Sequence, residues 1–212
     1  MGGVVEAMRR VAAGELANAF AFIGAGGHHA GRCFFGGYCC FNDVCIGIAE
    51  LRRRGLASRF AILDTDAHHG DGTRDIVQDD PGVLHACVCG RSWTSADETK
   101  LDLDGPAPAA ADPDAAYLAA VSPVFASACR AFRPDMVVWY FGFDGHQGDY
   151  GDLGLSATCF FGLADLMVQV AAEATGGRLV VVLGGGSRAD LATALIPPII
   201  ARLADAPAST GA

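Results

Sequence analysis

The stretch Phe60-Ala61-Ile62-Leu63-Asp64-Thr65-Asp66-Ala67-His68-His69-Gly70-Asp71-Gly72-Thr73 begins as a short apolar run and ends in acids, histidines and glycines. Its apolar start, bounded by a polar, glycine-containing segment, reads as a buried strand entering a loop. Asp64, Asp66 and His68 alternate, so an extended chain points them to one side. Two carboxylates and an imidazole are costly to bury unless they are paired or hold a metal. The stretch therefore reads as a metal or catalytic site at the end of a strand.

The same pattern recurs along the 212 residues. Spacing predicts a helix over 3–17, a short strand over 19–23, a helix from Asn42 or Asp43 to Arg54, and a strand over 60–64. Further on it predicts a strand over 83–88, loop over 90–112, a helix over 113–132 and a strand over 136–141. Loop over 142–155, a helix capped by Ser156, a strand over 179–183 and a helix over 188–202 complete the pattern. Apolar strands alternating with helices imply an α/β fold: a three-layer αβα sandwich on a mostly parallel sheet. One domain over 1–203 is expected, with a flexible tail over 204–212. His28-His29, Asp64 to Asp71, Asp144-Gly145-His146 and Gly184-Gly185-Gly186 each follow a predicted strand. In a parallel sheet they share the carboxyl edge, where such sheets place their sites. Of the six histidines, only His85 lies elsewhere, inside a strand, where it reads as a core residue.

Hydrophobic residues make up 51% and charged residues 18%, a globular composition. The net charge of −9 argues against nucleic acid as a direct partner and suits a cationic substrate such as a lysine-bearing peptide or a polyamine. Apolar runs such as Val180-Val181-Val182-Leu183 are too short to span a bilayer, so no membrane association is expected. Met1-Gly2-Gly3-Val4-Val5-Glu6 has neither the basic start nor the apolar core of a secretory leader. The eight cysteines then read as reduced, buried thiols of an intracellular protein, cytoplasmic, or nuclear in a eukaryote. Neither Cys87-Val88-Cys89 nor Cys39-Cys40 has the spacing of a zinc-thiolate site. A homo-oligomer is left open.

Asp66, His68 and Asp144 can give two carboxylates and one imidazole to one cation. That donor set, with room for water, suits a hydrolytic Zn²⁺, Fe²⁺, Mn²⁺ or Co²⁺. His28 and His29 are then free to act as general base and acid, and Asp64 and Asp71 to orient them.

Gly26-Gly27-His28-His29-Ala30, Gly37-Tyr38-Cys39-Cys40-Phe41-Asn42-Asp43, Asp64 through Thr73 and Phe143-Asp144-Gly145-His146 resemble, in order and spacing, the histone deacetylase family. That family includes acetylpolyamine amidohydrolases and acetoin-utilisation proteins and has the arginase–deacetylase fold; the resemblance runs from about residue 20 to 200. It implies hydrolysis of an acylated amine, with acetyl-lysine of histones or other proteins as the leading substrate. Asp66, His68 and Asp144 resemble its zinc ligands. His28 resembles the first histidine, backed by Asp64, and His29 the second, backed by Asp71 and a principal general base. Gly37 resembles the residue whose carbonyl holds the substrate amide, and Tyr38 an aromatic wall of the acyl-lysine tunnel. The backbone near Asp64, Asp66, His68 and Cys87-Val88 resembles a structural K⁺ site. Arginases share the fold but use two metals and an Asp-x-His-x-Asp run, whereas here Asp71 stands five residues after Asp66.

The chain departs from the family in two places. Where a tyrosine usually follows the glycine run, Ser187-Arg188-Ala189-Asp190 stands instead; Arg188 is the candidate oxyanion donor, with pairing to Asp190 as the equal alternative. The chain also begins shortly before the first histidine motif, so the fold is expected to lack the family's N-terminal part. The segment over 89–104 lacks the usual aromatic wall, a place Trp93 can take. The second reading is a catalytically weakened relative that binds zinc and acyl-lysine as a binding or scaffold module.

Overall fold

The computed structural model describes residues 2–23, 26–105 and 110–206. Its elements run α1 (Gly2–Ala12), β1 (Asn18–Ala21), α2 (Asp43–Arg53), β2 (Phe60–Asp64), α3 (Asp71–Val77), β3 (Val83–Val88), β4 (Trp93–Thr94), β5 (Lys100–Leu103), α4 (Pro113–Phe132), β6 (Met136–Phe141), α5 (Ala157–Thr175), β7 (Leu179–Leu183) and α6 (Ala189–Ala204). The strands form one sheet in the order β1-β7-β6-β2-β3-β5-β4. All neighbours are parallel except β4, which runs antiparallel to β5 at the edge.

The period of two in each strand builds the three layers. Phe60, Ile62, Val138, Tyr140, Val180 and Val182 turn to one face, where Val4, Met8, Ile48 and Leu51 of α1 and α2 cover them. Ala61, Leu63, Val137, Trp139 and Val181 turn to the other, against α4, α5 and α6. Strands buried on both faces explain the unbroken apolar runs. α4 and α5 are long and apolar enough to cross a bilayer by length and composition, a property the short strand runs did not reveal. Both lie on the sheet, burying Tyr117, Val121 and Phe125 from α4 and Phe160, Leu163 and Met167 from α5.

Several expectations shift. The first helix stops at Ala12 rather than reaching residue 17, because the chain turns at Gly14 with φ +72°. The first strand is Asn18–Ala21, and Phe22 is exposed. α3 falls inside what read as a loop; seven residues are too few to display a helical period. β4 and β5 fall inside the loop expected over 90–112. The charges of β5 hide it, because both are neutralised internally. The buried Lys100 Nζ donates to the carbonyls of Val83 at 2.8 Å and Asp80 at 3.0 Å, and Asp102 accepts from Arg74 and Arg91. The expected caps form: Asn42 accepts from Cys45 N and Ser156 from Thr158 N. α6 reaches Ala204, and the tail over 207–212 lies outside the described residues, as do Gly24, Ala25 and 106–109. All eight cysteines are free, and Cys33 and Cys40 are exposed.

His85 is fully buried, and burial lowers its pKa. Its Nδ1 accepts from Arg74 Nε at 3.3 Å, while Nε2 has no hydrogen bond and lies 3.9 Å from Asp64 Oδ2. It is a core histidine with only one ring nitrogen satisfied.

Between β2 and β6, the buried Trp139 Nε1 donates to Thr65 Oγ1 at 2.8 Å. Thr65→Val keeps the shape and orphans that indole N–H. Urea unfolding is expected to show a loss of about 1–3 kcal/mol.

Candidate metal centre and active site

The four segments singled out in the sequence leave the carboxyl ends of β1, β2, β6 and β7 and meet above one edge of the sheet. Asn42 fastens the histidine segment from below. Its Nδ2 donates to Ala30 O at 3.1 Å and Thr73 Oγ1 at 2.9 Å, and Tyr140 Oη donates to its Oδ1 at 3.3 Å. The backbone of Thr73 donates to His28 O at 2.8 Å, so α3 braces the same segment. A cavity of about 440 Å³ opens here, lined by His28, His29, Asp66, His68 and the glycines 184–186, among others.

Asp66, His68 and Asp144 each offer a donor atom, all within 4.8 Å of one another. His68 Nδ1 lies 3.0 Å from Asp66 Oδ1 and 2.9 Å from Asp144 Oδ2. Asp144 is fully buried, and its Oδ2 makes no hydrogen bond despite that close approach. Burial, and then the charge of Asp66, push the Asp144 carboxyl up to about 7. Two buried carboxylates facing each other repel unless a cation lies between them. A buried carboxylate oxygen without a hydrogen bond, in a ring of oxygen and nitrogen donors, fits a divalent metal.

The two histidines stand beside this set, ring centroids 4.1 Å apart. His28 Nδ1 is 2.9 Å from Asp64 Oδ2, and His29 Nδ1 is 2.6 Å from Asp71 Oδ1. Both pairings implied by the resemblance are therefore present. Burial disfavours the charged form of His28, but Asp64, with Asp66 and Asp144 behind it, lifts its pKa to about 9. Asp64 has the converse shift: burial raises its pKa, and His28 more than offsets that, holding the carboxyl below the usual range.

Gly37 and Tyr38 line the cavity as expected, with Tyr38 96% exposed at its rim. Gly37 must be glycine: φ is +51°, and a Cβ would fall 2.1 Å from His29 Cδ2. Arg188 is not brought to the others. Its guanidinium is held by Asp190, with Nε 3.1 Å from Oδ1, and its NH1 is 3.4 Å from Gly148 O. The cause is Asp149, which accepts from the backbone N of Ser187 at 3.1 Å and of Arg188 at 3.2 Å and so fixes the exit of the glycine run. Trp93 is not at the cavity either; Arg74 lies over its ring, 5.4 Å from the centroid.

Sequence reasoning missed Tyr150. Its ring stacks on His68 with centroids 5.5 Å apart, and its hydroxyl accepts from Gly186 N at 3.2 Å. A Cβ placed on Gly185 would meet Asp66 Oδ2 at 2.1 Å, the Tyr150 hydroxyl at 3.0 Å and Asp144 Cγ at 3.1 Å, so these groups surround one point. Burial pushes the Tyr150 hydroxyl up to about 12, which keeps it a proton donor. Its isolation in a loop, away from the glycine run where a tyrosine was sought, left no signal in the spacing.

Known proteins resemble this chain in sequence and fold. Human histone deacetylase 7 is 33% identical over 206 residues, an alignment covering 87% of this chain and 21% of that protein. Human histone deacetylase 9 is 32% identical over 210 residues, covering 88% and 20%. The crystal structure of the HDA15 HD domain superposes with a TM-score of 0.79 at 25% identity, covering 97% of this chain and 61% of that one. Acetylpolyamine aminohydrolase from Burkholderia pseudomallei superposes with a TM-score of 0.81 at 24% identity, covering 96% and 60%. The chain thus spans about a fifth of those human relatives and about three fifths of the solved structures. The family model of the histone deacetylase domain matches residues 1–197, nearly the whole chain, and the chain belongs to that family.

Proposed function

We propose that this chain carries the active site of a metal-dependent amidohydrolase that removes an acetyl or other acyl group from an amine. The observation that carries the reading is the junction of two His–Asp pairs with the Asp66, His68 and Asp144 donors in one cavity. Zn²⁺, with Fe²⁺, Mn²⁺ or Co²⁺ as alternatives for the same donors, supplies Lewis acidity to the acyl carbonyl and the attacking water. Acetyl-lysine in histones or other proteins and acetylated polyamines are the substrates proposed, in line with the names of the relatives. The acidic balance of the chain favours such amine-bearing molecules. A structural K⁺ beside Asp64 and the paired strand end at Cys87, and an intracellular setting, complete the proposal.

The chain's own groups divide the proton work. Asp71 accepts the Nδ1 proton of His29, which leaves Nε2 as the base for the water. Asp64 holds His28 protonated for the departing amine, and a nearby cation lowers its elevated pKa toward neutrality. Gly186 donates to the Tyr150 oxygen, which leaves the Tyr150 O–H free to donate to the developing oxyanion. Tyr150 therefore takes the role that the sequence assigned to Arg188.

Asp144→Asn is expected to lower the zinc bound per chain by elemental analysis and to remove turnover of a fluorogenic acetyl-lysine peptide. Zinc retained without turnover in the unaltered chain sinks the enzyme reading in favour of the binding module.

Tyr150→Phe is expected to lower kcat about 10²–10³-fold with little change in KM. Arg188→Ala, altering a solvent-exposed ion pair, is expected to leave kcat within roughly twofold. The reverse ranking returns the oxyanion role to Arg188.

A further inference from the structure

Directly after the metal ligand His68, His69 contacts a second group of donors that the hydrolytic reading does not use. Cys87 and Cys89, two apart at the end of β3, point to the same side by strand alternation. His69 Nδ1 lies 3.3 Å from Cys89 Sγ, and Gly70 N donates to Cys87 Sγ at 3.4 Å. One donor atom from each of His69, Cys87 and Cys89 lies within 4.8 Å of the others. Asp102 sits opposite Cys87 in the β3–β5 register, with Oδ1 3.8 Å from His69 Nδ1. Sequence spacing argued against a thiolate site because the third and fourth donors come from other segments.

We propose that His69, Cys87, Cys89 and Asp102 form a second metal site, for Zn²⁺, separate from the hydrolytic centre. Two sulfurs, an imidazole nitrogen and a carboxylate oxygen make a tetrahedral zinc set, with ligand distances of about 2.0–2.3 Å. Cations already stand beside the cluster. Zn²⁺ with two thiolates and a carboxylate carries one net negative charge, and Arg74 and Arg91 both already hold Asp102, at 2.7 Å each.

Loading the site is a proton exchange. Arg91 NH2 lies 2.9 Å from His69 Nε2, which places the ring proton on Nδ1, toward Cys89. Zinc takes the Nδ1 lone pair, the ring proton moves to Nε2, and the remaining thiol protons pass to solvent. Arg91 releases the ring and keeps Asp102 Oδ2. The ion then ties the ends of β3 and β5 to the loop that carries His68.

Cobalt reads this out, because the hydrolytic donors contain no sulfur. Metal-free, reduced full-length chain titrated with Co²⁺ is expected to develop a near-ultraviolet thiolate-to-cobalt charge-transfer band. Cys89→Ser is expected to lose it, and Asp144→Asn, a change in the other centre, to keep it. No band in the unaltered chain, or one that survives both Cys89→Ser and Cys87→Ser, overturns the proposal. Cys87→Ser alters a buried strand residue, so the unaltered chain supplies the second measurement. Zinc is expected to shield the half-buried Cys89 thiol from an aromatic disulfide reagent, and a chelator to expose it again. A reactive-thiol count that zinc leaves unchanged also overturns the proposal. Loss of acetyl-lysine turnover in Asp144→Asn with the cobalt band intact tells the two centres apart.

Discussion

Two carboxylates buried side by side dominate this molecule. Asp66 and Asp144 follow different strands, are almost fully buried and converge on one imidazole. Left alone, such a pair opposes folding, because burial and mutual repulsion both disfavour the charged forms. Much of the local structure accommodates that conflict. Ala67 N donates to Asp144 Oδ1 at 3.1 Å, and His68 N to Asp66 Oδ1 at 2.9 Å. The remaining demand is for a positive charge, which is why the geometry implies a cation.

The surrounding groups hold that charge conflict in a reactive arrangement. Asn42, Thr73 and Tyr140 fix the two histidines against the sheet without contacting the donor atoms themselves. Asp149 takes the backbone amides after the glycine run and so sets the direction of Arg188. The chain thus separates support from chemistry. Buried hydrogen bonds on one layer determine where exposed ring atoms stand in the next.

Much of this was legible in the sequence, where the signal was periodic or chemical. The central strands declared themselves as unbroken apolar runs, and the histidines and acids after them marked one sheet edge. What escaped depended on partners distant in the chain. Lys100 and Asp102 made β5 look like loop, because only the folded sheet shows the carbonyls and arginines that neutralise them. Tyr150 carries no local signal: its hydroxyl reaches the site through a turn whose path residue types do not encode. Arg188 was placed by counting along the chain, and residue types alone do not choose between an oxyanion and the neighbouring Asp190 as the partner of its guanidinium. The Cys-x-Cys pair was judged by spacing within one strand, and its other donors lie in two further segments.

Gly185 contributes no functional group, yet even a methyl at that position would lie 2.1 Å from Asp66 Oδ2. The chain can therefore vary its rim aromatics and outer helices more freely than this atomless spot. In a library of single substitutions, Gly185 marks a position closed to all nineteen alternatives, because the space a side chain would need already belongs to Asp66, Asp144 and Tyr150. The least replaceable residue in an active site can be the one that takes no part in the reaction.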